Sequence, residues 1–310
     1  MSRKVKIMTS SFGTFEAISP PFNLREPNIS ENIKQAQSIL ESAIPIHPDI
    51  VLLPETFKSC GMASDKIPNI AEDINGETVQ MLKSYAKKGN YNLIAGLIIK
   101  EDTKYFNKAL IISRHGDLIG TYSKNFPTEG EITSGISPAN THSTFDLDCA
   151  KVGIGICFDI NWSDIWEKYH KNNAELFCWI SAYEGGFSIR NIAINYRTPL
   201  ISSVMPYFAR VIEINGKDIV STSRWNRIAF CEINLDRELF HTDLQMNIIA
   251  EIQKKYGEKI TIKTFHEEHL FLLENNMENT TINNIIEEFG LISYDNYIKR
   301  CTKFKNKHLV

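Results

Sequence analysis

From Lys151 onward the chain alternates short apolar runs with helical patterns. Lys151–Ile156 reads as a strand, about Trp162 to Lys171 as a helix, Leu176–Ile180 as a strand, Ile189–Tyr196 as a helix and Leu200–Val204 as a strand. The apolar runs lack two-residue alternation, so both of their faces are buried, as in parallel sheets covered by helices. The N-terminal half has the same rhythm. Val5–Met8 reads as an opening strand. Asn28-Ile29-Ser30-Glu31 offers a helix start before Ile33, Ala36, Ile39, Leu40 and Ala43, and Asp49–Leu53 reads as a buried strand ending at Pro54. A second helix fits Thr78–Lys88 and strands fit Asn92–Ile99 and Lys108–Ser113, with His115-Gly116-Asp117 turning into Leu118–Tyr122. Arg210–Ile214 and Asp218–Ser221 flank Asn215-Gly216, a strong hairpin signal. The expected class is α/β.

No Gly/Ser/Pro tract divides the chain, which predicts one domain. Beyond about Asp236 come polar helical stretches, a short strand at Lys259–Thr264 and the Asn-rich Glu274–Asn284. Residues 1–240 are read as the main body and 241–310 as an extension of the same domain, serving as an interface arm.

With 43% hydrophobic and 23% charged residues, the balance is that of a soluble globular protein. A net charge of −3 and a pI near 6.3 give no electrostatic reason to expect nucleic acid or an anionic membrane as partner. No apolar run approaches the roughly 20 residues of a membrane span. The basic start Met1–Lys6 runs into Thr9, Ser10 and Ser11 without an apolar signal core. The expectation is a cytoplasmic protein whose partner is a small-molecule substrate. Six cysteines lack a CxxC, and eight histidines show neither HExxH nor a paired Cys/His spacing. Neither disulfides nor a metal is expected. Each cysteine is then a small buried hydrophobe or a reactive thiol.

Three places stand out. Gly153-Ile154-Gly155-Ile156-Cys157-Phe158-Asp159 ends a buried strand on a cysteine just before a helix. Free backbone N–H groups at such a turn favour a thiolate and can donate to an oxyanion. Ile50-Val51-Leu52-Leu53-Pro54-Glu55 sets a carboxylate at a strand's carboxyl end, where catalytic groups of α/β sheets collect and a general base is well placed. Gly120-Thr121-Tyr122-Ser123-Lys124-Asn125 ends a strand on a lysine whose ammonium can stabilise charge developing on oxygen. Taken singly, each has a plainer reading: a packed cysteine, a solvated glutamate, a surface lysine.

Taken together, in this order and at these intervals, they resemble the nitrilase (carbon–nitrogen hydrolase) superfamily. The resemblance runs from about Val5 to Asp236 and includes Trp179-Ile180-Ser181-Ala182-Tyr183-Glu184-Gly185-Gly186 after the nucleophile strand. It implies a four-layer α-β-β-α sandwich, pairing into homodimers or larger homo-oligomers, without metal or cofactor. It further implies that Glu55 deprotonates Cys157 and later activates water, while Lys124 and the Phe158 N–H hold the oxyanion. A second glutamate is expected between lysine and cysteine. Glu131 fits the family interval, with Glu129 as the alternative. The reaction implied is thiol-dependent hydrolysis of a non-peptide carbon–nitrogen bond, releasing ammonia.

Two departures bear on substrate. Asn125-Phe126 follows the lysine where many members have a variable residue and then His-Leu. Asn161 stands where many amidases and carbamoylases carry an arginine able to meet a substrate carboxylate. A carboxylate beside the scissile group is therefore disfavoured unless Arg190, Arg197 or Arg210 substitutes. Phe158, Asn161, Trp162 and Tyr183 are the expected substrate contacts, with Trp179 a further aromatic nearby. Nitrile and amide share all catalytic groups. The Trp179–Gly186 and Asp236–His241 segments tilt the reading towards nitrilase, with an amidase or N-carbamoyl hydrolase as the alternative and an inactive scaffold as the alternative of another class.

Overall fold

The computed structural model describes residues 3–13, 28–62 and 67–309. Among these, the first half gives β1 (Lys4–Ser10), α1 (Ile29–Ala43), β2 (Ile50–Leu52), α2 (Ile67–Ile70), α3 (Glu77–Gly89), β3 (Asn92–Glu101), β4 (Lys104–Ile112), β5 (Leu118–Ser123), α4 (Glu129–Thr133) and β6 (Thr144–Asp146). Then come β7 (Lys151–Ile156), α5 (Ser163–Lys171), β8 (Leu176–Ser181), α6 (Gly186–Tyr196), β9 (Leu200–Val204), β10 (Arg210–Ile212), β11 (Asp218–Ser221) and β12 (Ile228–Asn234). The remainder forms β13 (Arg237–His241), α7 (Met246–Tyr256), β14 (Ile260–Phe265), β15 (Leu270–Asn275), α8 (Ile282–Phe289) and α9 (Tyr294–Lys307). The chain divides into two compact units, Lys6–Cys231 and Met1–Val5 with Glu232–Val310. That division falls at 231/232, ahead of the compositional change near Asp236.

The larger unit carries two six-stranded sheets, ordered β12-β1-β2-β3-β4-β5 and β11-β10-β9-β8-β7-β6. In each, a parallel trio forms the middle: β1, β2 and β3 in one, β7, β8 and β9 in the other. Successive strand residues face opposite sides, and both sides are buried. Met8, Val51, Leu53, Leu93 and Ala95 pack on α1 and α3 through Leu40, Val79 and Leu82. Their neighbours Ile7, Ile50, Leu52 and Ile94 are also fully buried but lie outside that cluster, on the other face of the sheet. The second sheet packs Phe177, Trp179, Leu200 and Val204 on α5 and α6 through Trp166, Tyr169 and Ile189. The helices sit where sequence chemistry starts and stops them. Asn28 Oδ1 accepts the Ser30 N–H at 3.0 Å ahead of α1, and Asn90 in the left-handed region closes α3.

The parallel strands and the helices lie within a few residues of the expected positions. One difference matters for the site. β3 and β4 form one long hairpin, in register from Leu93↔Ile112 out to Glu101↔Lys104. β4 therefore begins at Lys104 rather than Lys108, and Asn107 belongs to a strand. Exposed Lys100, Glu101 and Lys104 hide the hairpin tip from an apolar pattern. Elsewhere, β10 stops at Ile212, where its register with β11 shifts, so the hairpin arm is shorter than Arg210–Ile214.

The smaller unit is richer in strand than its polar sequence suggests. β13, β15 and β14 form an antiparallel sheet around Phe240, Phe271, Leu273 and Ile285. In the Asn-rich stretch, Asn275 is fully buried, and its Nδ2 donates to Asp236 Oδ2 at 2.7 Å and to the Thr280 carbonyl at 2.8 Å. Among the described residues no helix is long and apolar enough to cross a membrane.

Candidate active site

The site is assembled from three strand ends of the larger unit. Glu55 lies just beyond β2, Lys124 directly follows β5, and Cys157 directly follows β7. Glu55 is held by a close backbone approach. A Cβ on Gly96 of β3 would lie 2.6 Å from Glu55 Cα and 2.7 Å from the Pro54 oxygen, so only glycine lets β3 run this near. The next residue, Thr56, takes φ +41°, turning the chain sharply after the carboxylate.

Cys157 ends its strand in the same manner, with φ +48°. Left-handed backbone is unfavourable for a side chain with a Cβ, so its neighbours must hold it there. The indole Nε1 of Trp179 donates to the Cys157 carbonyl at 3.0 Å. Asp159 Oδ2 accepts the Ile156 N–H at 3.0 Å and the Tyr122 hydroxyl at 2.8 Å, while Oδ1 accepts the Phe126 N–H at 2.9 Å. Asp159 thereby ties the nucleophile turn to the segment around Lys124. The glycines of this strand serve packing: a Cβ on Gly155 would lie 2.6 Å from the Trp166 ring of α5. Cys157 opens a short turn through Asn161, so the first N–H groups of that turn, Phe158 included, have no partner within it.

The three residues converge. Lys124 is 1% exposed, and its Nζ lies 2.8 Å from Glu55 Oε1. The same ammonium reaches Glu131 Oε1 at 2.9 Å and Oε2 at 2.7 Å. Glu131, not the exposed Glu129, is thus the second carboxylate. A capping box fixes it: Thr128 Oγ1 accepts the Glu131 N–H at 3.2 Å, and Glu131 Oε2 accepts the Thr128 N–H at 2.7 Å. Glu55 Oε2 accepts the Ala182 N–H at 2.9 Å. The Cys157 thiol lies beside the Glu55 carboxylate and the Ser181 hydroxyl.

Burial disfavours the charge of Lys124, but Glu55, Cys157 and Glu131 outweigh it and hold its pKa above the ordinary lysine range. Burial likewise works against Glu131, yet Lys124, Thr128 and Asn107 hold its carboxyl below its ordinary value. Burial first, and then the Glu55 charge, push the Cys157 thiol up to about 12 against Lys124 and Ser181. This departs from the thiolate expected at a helix-proximal turn: desolvation and a carboxylate in contact outweigh the turn's N–H groups. Cys60 and Cys149 are raised as well, to about 11 and about 12, chiefly by burial. Acidity does not single out Cys157; its partners do. A resting thiol beside a carboxylate, with a buried ammonium adjoining, suits nucleophilic attack in which the base removes the proton during the step.

The expected substrate contacts lie at more open positions than the three converging residues. Phe158 and Tyr183 are each nearly two-fifths exposed, at 38% and 39%. Trp162 is half-buried and stacks on Phe126 with centroids 3.8 Å apart. Asn161 is exposed, and its Nδ2 donates to the Phe158 carbonyl at 2.9 Å within its own turn. Trp179 is fully buried against the Cys157 turn, where it bonds the Cys157 carbonyl. Asn125, one of the departures, clasps Thr141 through two bonds of 2.7 and 2.9 Å. A cavity of about 260 Å³ opens beside Asn107, Glu131 and Ala182, with Met62, Ile98 and Ile136 among its walls. The sequence reading missed Asn107, Ser181 and Gly96. The Thr128-x-x-Glu131 capping pattern was present and separates Glu131 from Glu129.

A buried Glu–Lys–Cys constellation stands at the ends of strands from two helix-covered sheets. The sequence profile of the carbon-nitrogen hydrolase family matches residues 18–238, and the chain belongs to that family. Omega-amidase NIT2 of Mus musculus is 32% identical over 169 residues, covering 52% of this chain and 59% of that protein. The chain thus spans little more than half the length of that relative. Omega-amidase NIT2-B of Xenopus laevis is 24% identical over 271 residues, covering 81% and 95%. The crystal structure of Saccharomyces cerevisiae Nit3, a member of branch 10 of the nitrilase superfamily, superposes with a TM-score of 0.65 at 18% identity, covering 82% and 95%. This last likeness shows the fold, the expected α-β-β-α sandwich.

Proposed function

We propose that the protein hydrolyses the carbon–nitrogen bond of a small primary amide through a covalent Cys157 intermediate. The observation that carries this reading is the Lys124 ammonium, buried and held by Glu55 and Glu131 beside the Cys157 thiol. Glu55 takes the thiol proton as sulfur attacks the carbonyl carbon. The C–S bond forms, and the carbonyl π electrons pass to oxygen, facing Lys124 and the Phe158 N–H. The proton held by Glu55 passes to nitrogen, the C–N bond breaks and ammonia leaves. Water then gives a proton to Glu55 and attacks the thioester, releasing a carboxylic acid and the free thiol.

Amide is preferred to nitrile because the relatives with the higher identity are named omega-amidases. The acyl group is small and without an essential carboxylate. Asn161 carries no charge. The arginines able to replace it are engaged elsewhere: Arg190 and Arg210 with Asp218, Arg197 with the Asn195 carbonyl. The test is ammonia release from matched primary amides, nitriles and N-carbamoyl compounds, with neutral and carboxylate-bearing acyl groups. Turnover led by neutral amides is expected. Turnover of nitriles alone, or a clear preference in kcat/KM for the acids, defeats the reading.

A further inference from the structure

Asn107 lies on β4, and no step so far uses it. Its Nδ2 donates to Glu55 Oε1 at 2.7 Å and to Glu131 Oε1 at 3.1 Å. Both amide hydrogens are thereby taken by carboxylates. Those two oxygens are the ones that also accept Lys124 Nζ, at 2.8 and 2.9 Å. The Asn107 backbone carbonyl accepts the Lys124 N–H at 2.9 Å. One neutral side chain therefore bonds both carboxylates, while its own peptide bonds the backbone of the lysine that they share. Asn107 is 2% exposed, and its Oδ1 is buried without a hydrogen-bond partner among the described residues. A buried acceptor left unpaired is unfavourable, so packing alone gives no reason for an amide here.

Charge explains the choice. With Glu55 and Glu131 ionised and Lys124 protonated, the cluster carries one more negative than positive charge. A second cation would draw the carboxylates away from Lys124, and an acid would repel both. An amide donates to both without charge of its own. We propose that Asn107 is a positioning residue that clamps Glu55 and Glu131 on Lys124 and fixes the Glu55 carboxylate towards Cys157. The inference rests on the function proposed above and adds a residue to its machinery.

The test compares Asn107→Ala, Asn107→Ser and Asn107→Asp with wild type by kcat, KM and pH profile on the best-turned-over primary amide, alongside the rate of Cys157 alkylation by iodoacetamide. Asn107→Ala is expected to lower kcat roughly 10²-fold with little change in KM, the size that misplacing a reacting group by about 1 Å produces. Asn107→Ser keeps one donor and falls between. Asn107→Asp is expected to regain activity as pH falls, because the introduced carboxyl donates only when protonated, a conditional rescue that loss of structure does not give. Wild-type kcat and pH profile in Asn107→Ala, or an Asn107→Asp profile parallel to wild type, overturns the assignment. Should Asn107→Asp not fold, equal kcat in the Ser and Ala variants overturns it. A wild type inert towards amides refutes the substrate reading alone. The alkylation rate, which needs no substrate, then decides: slowing in Asn107→Ala supports the clamp, and no change overturns it.

Discussion

Lys124 and Glu131 meet through both carboxylate oxygens, with Nζ 2.9 Å from Oε1 and 2.7 Å from Oε2. The ammonium is almost wholly buried, so removing one carboxylate leaves its charge less compensated in a place water cannot reach. Glu131→Gln should lower kcat by about 10²-fold, in the range found when a charge-stabilising group is removed from an active site. Glu129→Gln should change it little, because Glu129 is exposed on the same short helix. Steady-state kinetics of the two variants, with melting curves to check folding, gives the comparison. Equal effects would remove Glu131 from the site.

The approach of Gly96 to Glu55 leads to a second expectation. A methyl group at position 96 meets backbone, not a flexible side-chain end, at 2.6 to 2.7 Å. Gly96→Ala should therefore displace the Glu55 segment, with roughly 10²-fold lost from kcat/KM, as a shift of about 1 Å in a catalytic group produces. Overpacking of this sort typically costs about 1–3 kcal/mol of stability, readable in urea unfolding. A fully active, fully stable Gly96→Ala would show that β3 does not set the position of the base.

The thiol's acidity fixes a pH dependence. Burial and Glu55 raise Cys157 to about 12, so protonation dominates at neutral pH and the thiolate fraction grows as pH rises. Simple alkylation of Cys157 should accordingly quicken about tenfold per pH unit between roughly pH 7 and 9, with no plateau. A plateau beginning near pH 7 would mean a preformed thiolate. Amide turnover need not follow this slope, since in the proposed mechanism Glu55 removes the proton within the attacking step.

How far these features could be read from the sequence varies with how local their causes are. Lys151–Ile156, Leu176–Ile180 and Leu200–Val204 reveal themselves because a strand buried on both faces has to be apolar throughout. Glu55, Lys124 and Cys157 stand out through their order and spacing. Asn107 left no such trace: Tyr105-Phe106-Asn107-Lys108 is an ordinary strand sequence, and the residue acquires partners only when β4 pairs with β5 and brings Lys124 beside it. The smaller unit was harder still. Its β13 and β15 carry Arg237, Glu238 and Glu274 among their apolar residues, which masks the strand pattern until Glu274 is seen beside Lys263 across the sheet.

The central claim is that the acyl group of the substrate passes through a bond to Cys157. It is tested most directly by quenching the enzyme in acid during turnover of a primary amide and mapping the digest by mass spectrometry. A mass increase equal to the substrate less ammonia is expected on the peptide that contains Cys157, disappearing as substrate is exhausted and absent from Cys157→Ala, which should also release no ammonia. Undiminished turnover by Cys157→Ala, or the same adduct on Cys60, Cys149, Cys178, Cys231 or Cys301 in its place, would contradict it.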